Sequence, residues 1–247
     1  MVYCQLIFFA VYIDEIVDII RRRNLGCKLG QISVGIFLYA DDIILLAPSV
    51  SALQQMLSTC EEHLRYLDMC LNTKKSICMC IGPRFKDECC PLVTANGDKL
   101  CWVVSCRYLG VYIVAAKKFT CSISNNKKSF YRCFNSIYSK VGYIASEEVI
   151  VKLIATKCLP VFIYGLDACP VSTTDIRTLD FVMTRTFMKV FRTSSVDIVN
   201  ECQLMFNFRK VSDVIVTRKI RFSQRYTGCD NILCGLFAVN ATKELYP

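Results

Sequence analysis

The chain has 247 residues, 53% of them hydrophobic and 21% charged, with a formal net charge of +9. This length provides for a sizeable core in one large domain or two modest ones. The apolar run at the start meets Asp14, Glu15 and Asp18 too early to cross a bilayer, and it lacks the cleavage site of a signal peptide. The apolar run at 149–166 is interrupted by two lysines and a proline. We therefore expect a soluble, intracellular protein that is not secreted and has no membrane partner.

The seventeen cysteines are scattered along a long chain without a secretion signal, which favours reduced thiols that behave as small hydrophobic residues. The densest cluster matches no common zinc-binding spacing, and the only histidine, His63, lies on a predicted helix. The cluster comprises Cys78, Cys80, Cys89, Cys90 and Cys101.

The positive charge is confined to the second half of the chain. Residues 1–114 contain 11 basic and 11 acidic residues, whereas residues 115–247 contain 19 basic and 10 acidic ones. A neutral half followed by a basic half fits a polyanionic partner, although an ordinary solvated basic surface gives the same count.

In chain order, the first half alternates helices with short strands. Apolar residues recur at intervals of three and four up to about Arg23, which predicts a helix closed by Asn24-Leu25-Gly26. The segment Ser33–Pro48 predicts two strands joined by a turn at Ala40-Asp41-Asp42. A helix with a serine cap follows in "PSVSALQQMLSTCEEHLRYLDMCLN".

Beyond this helix, Ser76–Ile81, Leu100–Val104 and Tyr108–Val114 predict strands, with a turn at "TANGDK". From Lys117 onward the pattern predicts helices at 122–143, at 146–166 and at 172–191, the last capped by Thr173 or Thr174, and a weaker helix at Val211–Arg225. The predicted fold class is α+β, with a mixed part followed by a basic all-α part and a division near residue 115.

The paired carboxylates Asp41 and Asp42 stand between two apolar runs, in "GIFLYADDIILLAPS". Adjacent aspartates are common in hairpin turns because aspartate tolerates turn geometry, and the dipeptide alone favours that interpretation. A divalent cation gives a second explanation, because it offsets the repulsion of the two charges and prefers oxygen ligands.

Several motifs in order resemble the reverse transcriptases of non-LTR, LINE-type retrotransposons, especially the jockey-like group. "FLYADDIILLAPS" is similar to their catalytic hairpin, "NTKKS" to their Asn-x-x-Lys-Ser/Thr element, and "RYLGV" to the hairpin called the primer grip. Upstream, "FFAVYIDEIVDIIRRRNLGCKLG" resembles the helix that follows the template-contacting motif, and residues from about 160 to 192 resemble thumb and connection helices. The resemblance covers residues from about 8 to 195.

The resemblance implies RNA-directed DNA polymerisation by two-metal nucleotidyl transfer, with an RNA template, a DNA primer and deoxynucleoside triphosphates as partners. It implies a partial polymerase palm at 1–115, thumb and connection helices at 116–195 and a helical tail at 196–247. Asp41 and Asp42 would be catalytic and hold Mg²⁺ or Mn²⁺, and Lys75 would protonate pyrophosphate. The residues implied to contact primer or template are Tyr39, Arg107, Tyr108, Lys117, Lys118, Lys127 and Lys128.

The sequence departs from the family pattern at its start. Such palms use a further aspartate on an earlier strand, and Asp14 and Glu15 do not match it because they lie on the helix after the template-contacting motif. We therefore expect a truncated fragment without the fingers and the first palm motif, inactive alone. The alternative is a non-catalytic remnant that binds RNA or an RNA–DNA hybrid.

Overall fold

The computed structural model describes the backbone of residues 2–245 and the side chains of residues 11–239 and 241. The chain mixes helices with small sheets, as the sequence predicts. It divides into two compact units between Val104 and Ser105, whereas the sequence predicted a division near residue 115. No helix in the described range combines the length and hydrophobicity needed to cross a membrane.

Two helices form the framework of the first unit, and both follow from their sequence patterns. Helix α1 (Val2–Arg22) ends where Asn24 takes the left-handed conformation, at φ +58°. Helix α2 (Val50–Tyr66) begins at Ser49, whose hydroxyl accepts a hydrogen bond from the Ala52 N–H at 3.2 Å. Both predicted helices are confirmed, including the serine cap.

The contact between α1 and α2 is the larger core of this unit. Apolar side chains spaced by three and four residues on each helix meet there and are almost fully buried. They are Ile13, Ile16 and Ile20 on α1 and Met56, Cys60 and Leu64 on α2. His63 on α2 is also buried, and its Nε2 lies 3.5 Å from Oε2 of Glu15 on α1.

The strands of the first unit are short. The predicted pair within Ser33–Pro48 is confirmed, whereas the strands predicted at Ser76–Ile81 and Leu100–Val104 are shorter or shifted. Three two-residue strands were not predicted, because so short a pairing carries no hydrophobic period. The strands are β1 (Lys28–Leu29), β2 (Ile32–Ser33), β3 (Ile36–Tyr39), β4 (Asp42–Leu45), β5 (Ile77–Cys78), β6 (Leu92–Val93) and β7 (Lys99–Trp102).

These strands form two antiparallel hairpins, β1–β2 and β3–β4, and a three-stranded sheet in the order β5-β7-β6. Strand β5 runs parallel to β7, and β6 runs antiparallel to it. A second small core joins this sheet to α2 through Leu57, which packs with Cys78, Leu92 and Leu100. Helix α2 therefore contributes to both cores of the unit.

The second unit opens with a three-stranded sheet in the order β10-β9-β8, formed by β8 (Ser105–Tyr108), β9 (Val111–Val114) and β10 (Thr120–Cys121). The strand predicted at Tyr108–Val114 is shortened to β9, and a hairpin is present at Arg107–Val111, where the resemblance implies one. Leu109 and Gly110 both have positive φ, +46° and +81°, and turn the chain into a hairpin with Tyr108 opposite Val111.

Helices make up the rest of the second unit, around a core centred on the fully buried Phe130, Phe162 and Phe187. Helices α7 and α9 lie within residues 196–247, where the resemblance implies a helical tail, although no local pattern placed them individually. The helices are α3 (Ser124–Val141), α4 (Glu147–Leu153), α5 (Leu159–Phe162), α6 (Thr173–Val190), α7 (Val196–Met205), α8 (Val211–Thr227) and α9 (Ile232–Leu245).

Two details of these helices correct the sequence prediction. Helix α6 is capped by Ser172, not by Thr173 or Thr174, and Ser172 and Asp175 form a reciprocal capping box. The helix predicted at 146–166 contains a wider π-helical turn at Ile154–Cys158. Pro160 lies just beyond this turn; it has no N–H, and its ring would clash with the carbonyl of an undistorted α-helix.

We predict that Gly35→Ala destabilises the first unit by about 1–3 kcal/mol. A Cβ at Gly35 would lie 2.9 Å from the Gly26 Cα and 3.2 Å from the Leu25 carbonyl oxygen, and neither backbone atom can move freely. Urea unfolding followed by the fluorescence of Trp102, the single tryptophan of the chain, measures the change. Gly235→Ala in α9, where a Cβ meets nothing within 4 Å, should leave this transition unchanged, and an equal shift in both variants would contradict the prediction.

We predict that the first unit loses stability as the pH rises above about 9. Burial raises the pKa of the Cys60 thiol from 9.0 to about 12, so the unfolded chain releases its proton first and ionisation favours unfolding between these values. The difference between the unfolding free energies at pH 8 and pH 10.5 measures the slope of stability against pH. Cys60→Ala should flatten the slope and Cys70→Ala, at an exposed cysteine of the same unit, should not.

Candidate active site

The two predicted catalytic aspartates lie at the tip of the β3–β4 hairpin. Its strands pair in register from Ile36 opposite Leu45 to Tyr39 opposite Asp42. The turn consists of Ala40 and Asp41, and Asp42 is already the first residue of β4. The structure therefore brings Tyr39, Asp41 and Asp42 together at one tip, and all three side chains are exposed.

The hairpin has one packed face and one open face. The cross-strand pairs Ile36–Leu45 and Leu38–Ile43 pack against the α1–α2 core. Directly paired residues share a face of a sheet, and successive residues alternate. The pairs Phe37–Ile44 and Tyr39–Asp42 therefore share the opposite face, where Tyr39 is 59% exposed.

The turn at the tip needs an unusual backbone conformation. Ala40 has φ +49°, in the left-handed region that residues with a Cβ adopt at a cost. The pairing of Tyr39 with Asp42 on either side holds this conformation. The positions of both aspartate backbones thus depend on the hairpin register.

Two glycines fix the base of the hairpin to the start of the β1 segment. The Gly26 and Gly35 backbones cross so closely that a Cβ on Gly26 would lie 2.7 Å from the Gly35 Cα. On the same base, the Leu46 N–H donates to the Gly35 carbonyl at 2.7 Å and the Cys27 N–H to the Leu46 carbonyl at 2.9 Å. The tip is therefore anchored through its base to the segment that leaves α1.

The donor chemistry at the tip fits a hard divalent cation. Asp41 and Asp42 offer carboxylate oxygens, and Mg²⁺ commonly takes one or two protein carboxylates and completes its shell with phosphate and water. Across the described side chains, no group of three or more His, Cys, Asp or Glu residues could hold a metal ion. The pair is thus a partial ligand set, and phosphate or a further carboxylate would have to complete it.

Lys75 lies in a different local structure from the aspartates. It ends a turn in which the Asn72 side chain and backbone carbonyl both accept from the Lys75 N–H, at 3.2 and 3.1 Å. This turn leads directly into β5, and the Lys75 side chain is exposed. Within the described part of the chain, no ion pair links Lys75 to Asp41 or Asp42.

Arg107 and Tyr108 lie on β8 in the second unit, next to the tight turn of the β8–β9 hairpin. The Tyr164 hydroxyl donates to the Leu109 carbonyl at 3.0 Å, and a Cβ at Gly110 would lie 2.7 Å from the Tyr164 ring. This close fit requires glycine at position 110 and binds the turn to the segment after α5.

Asn126 on α3 fixes the position of the segment after α5. Its side-chain amide donates to the carbonyls of Phe162 and Tyr164, each at 3.0 Å. Sequence reasoning missed both Asn126 and Tyr164, since a lone asparagine in a helix and a tyrosine in a connection carry no motif. Of the residues at this turn, Gly110 is the one whose type could have indicated a tight turn from the sequence.

The four lysines predicted to contact nucleic acid also lie in the second unit. Lys117 and Lys118 occupy the exposed connection between β9 and β10. Lys127 and Lys128 lie in the first turns of α3, directly after Asn126, where Lys128 is exposed and Lys127 half-buried. The structure thus places these lysines on the elements joined to the β8–β9 hairpin.

We predict that Asn126→Ala destabilises the second unit by about 2 kcal/mol, because two carbonyls lose their hydrogen-bond donor. Thermal unfolding monitored by the helical circular dichroism signal measures the loss. The matched control is Asn125→Ala, at a half-buried neighbour whose side chain makes no hydrogen bond within the described residues. Equal melting temperatures for the two variants would contradict the assigned role of Asn126.

A model of the family described as reverse transcriptase (RNA-dependent DNA polymerase) matches residues 6–113. This range contains most of α1, both aspartates, Lys75 and most of the β8–β9 hairpin. The family consists of RNA-directed DNA polymerases, which generally bind an RNA template, a primer and deoxynucleoside triphosphates and use Mg²⁺. No curated protein gives a significant match to the chain.

Proposed function

We propose that residues 1–115 are part of the palm of an RNA-directed DNA polymerase of the non-LTR, LINE-type, jockey-like group. One observation carries this proposal: two adjacent aspartates stand at an exposed hairpin tip whose other end is fixed to a buried helix pair. The tip lies inside the range matched by the reverse transcriptase family model. Turn chemistry alone accounts for the exposed tip, but it does not account for the order of motifs around it.

In this proposal Asp41 and Asp42 hold the divalent cations that position the triphosphate. When bound, Mg²⁺ or Mn²⁺ would neutralise the phosphates and activate the primer hydroxyl. The chain contributes rigidity: the paired strands, the packed face and the Gly26–Gly35 crossing hold the backbone of both aspartates in place, which lowers the ordering cost when substrate arrives.

The open face of the hairpin suits a primer terminus. Tyr39 shares this face with Asp42, so its ring would pack beside the primer's terminal nucleotide next to the carboxylates. Phe37 and Ile44 lie further along the same face and would keep water from the sugar. The bound primer would thereby cover aromatic and aliphatic surface that is exposed in the free chain.

Lys75 is proposed as the proton donor to the departing pyrophosphate. Its ammonium is exposed at the end of a turn fixed by Asn72, and it remains available because no carboxylate pairs with it among the described residues. A lysine beside a triphosphate also offsets charge that develops on the leaving group.

The second unit is proposed to hold the template–primer duplex. Arg107 and Tyr108 on the β8–β9 hairpin would hold the primer, and the lysines at 117, 118, 127 and 128 would contact backbone phosphates without reading sequence. In this assignment residues 116–195 are thumb and connection helices and residues 196–247 a helical tail. The excess of basic residues after residue 114 supports a polyanionic partner.

We also propose that this chain alone does not extend a primer. The described side chains contain no third carboxylate near the pair, and two-metal polymerisation by the related enzymes uses one more aspartate. The same observation favours the second candidate function, a non-catalytic protein that binds RNA or an RNA–DNA hybrid through its basic unit.

Two assays test the proposal. We expect a labelled RNA–DNA hybrid to bind with an affinity that falls steeply as salt rises, because lysine contacts release counterions. We expect Lys127→Ala/Lys128→Ala to weaken binding by about three- to tenfold, by loss of phosphate contacts. We expect primer extension on an RNA template with Mg²⁺ to give no product from this chain alone.

The controls separate the two functions. Extension that Asp41→Ala abolishes and Asp87→Asn preserves would establish an active polymerase and overturn the expected inactivity. Hybrid binding without extension in any variant would favour the binding function. Absence of both binding and extension in folded protein would overturn both candidates.

A further inference from the structure

The loop at residues 79–91, between β5 and β6, holds a pair of thiols that the proposed function does not use. Cys80 and Cys89 are half-buried, and both are free in this structure. The loop contains turns but neither strand nor helix, so its backbone can adjust to a new covalent bond. Cys78, on β5 just before the loop, is buried at 5% exposure. A dissolved reagent can therefore reach the thiols of the loop but not Cys78.

The fold of the loop brings these two thiols together. The Cys80 Sγ donates to the Arg84 carbonyl at 3.6 Å, and the same carbonyl accepts from the Asp87 N–H at 3.0 Å. The Asp87 carbonyl accepts from the Cys89 Sγ at 3.8 Å. Both sulfur atoms thus contact the same turn, and the two thiols lie within hydrogen-bonding reach of each other. A disulfide needs such proximity of the side chains.

Contacts with β7 fix both ends of the loop. The Val103 N–H, directly after β7, donates to the Cys78 carbonyl at 2.8 Å. The indole Nε1 of Trp102, the last residue of β7, donates to the Cys90 carbonyl at 3.0 Å. The approach of the two thiols therefore depends on the folded sheet and not on their spacing in the sequence alone.

Clustered cysteines often bind a metal, but the donor set here does not suit one. Across the described side chains, no group of three or more His, Cys, Asp or Glu residues could hold a metal ion. Two thiolates supply half of the four ligands that a structural zinc site uses. The pair suits a reaction between two thiols better than metal binding.

We propose that Cys80 and Cys89 form a redox modification site, at which a low-molecular-weight disulfide such as oxidised glutathione converts both thiols into one intramolecular disulfide. One protein thiolate attacks oxidised glutathione, which gives a mixed disulfide and releases one glutathione. The second protein thiolate attacks the protein sulfur of the mixed disulfide and releases the other glutathione. The two electrons and two protons lost by the protein thiols end on the two glutathione thiols.

The disulfide would close a ring over residues 80–89 and restrict the unfolded chain. We expect the midpoint of urea unfolding of the first unit to rise by about 1 M on oxidation. Desolvation raises the pKa of the Cys89 thiol, with smaller contributions from Cys80 and Asp87. Oxidation should therefore run faster as the pH rises, since the thiolate is the attacking form. The inference depends neither on polymerase activity nor on nucleic-acid binding.

The second unit offers an internal comparison. The Cys121 and Cys169 thiols also lie within hydrogen-bonding reach of each other, but both residues are buried. We expect this pair to stay reduced in the folded chain under conditions that oxidise Cys80 and Cys89. Access to the reagent, and not contact alone, then decides which pair reacts.

The experiment treats the full, reduced chain with oxidised glutathione, blocks the remaining thiols and maps the disulfides by mass spectrometry. Trypsin cleavage after Arg84 and Lys86 places Cys80 in peptide 76–84 and Cys89 in peptide 87–99. We expect these two peptides to be joined, with fragment ions that assign the bond to Cys80 and Cys89. A disulfide beside Trp102 should also quench the single tryptophan, and a reductant should restore its emission.

Serine variants give matched controls. Cys80→Ser and Cys89→Ser should each lose both the joined peptides and the reversible quenching. Cys90→Ser, at the exposed neighbour of Cys89, and Cys70→Ser, at an exposed cysteine elsewhere in the first unit, should keep both. In urea, where the loop is unfolded, oxidation should give a mixture of linkages without preference for this pair.

Three results would overturn the site. They are a stable glutathione adduct on Cys80 or Cys89 in place of the joined peptides, equal quenching in wild type and Cys89→Ser, and the same mixture of linkages in folded and urea-unfolded chain. If Cys80→Ser or Cys89→Ser does not fold, the peptide map of the wild-type chain decides. Absence of the Cys80–Cys89 bond in that map would overturn the proposal.

Discussion

The contact between α1 and α2 is the constraint on which the candidate active site depends. The hairpin forms a two-stranded sheet of its own, and its packed face is buried against apolar surface of the two helices. The Gly26–Gly35 crossing then fixes its base. His63 and Glu15 add a polar contact to the same helix pair. Anything that separates the helices would release both aspartates.

The charge at the hairpin tip is tolerable because the tip is exposed. Two adjacent carboxylates in a core would repel each other and lose hydration, but at this tip water solvates both. The same exposure leaves their oxygens accessible to a cation and to phosphate. A rigid base with an accessible tip is an arrangement that suits a metal-dependent site, and it keeps the free protein stable.

Each of the two units holds a tight hairpin in place, and the contacts that do so differ. Each carries a hairpin whose first turn residue has positive φ, Ala40 at +49° and Leu109 at +46°. The first hairpin is held by apolar packing on its face, and the second by a hydrogen bond from Tyr164, whose own segment is held by Asn126.

The sequence by itself determined the two helices of the first unit, the β3–β4 hairpin and the long helices of the second, because hydrophobic spacing and capping are local. It also singled out Asp41 and Asp42 through their setting between apolar strands. Only the tertiary structure decided that the β3–β4 hairpin packs on the α1–α2 core and that Asn126 holds the Tyr164 segment. These depend on contacts between residues far apart in the chain, and no local pattern encodes them.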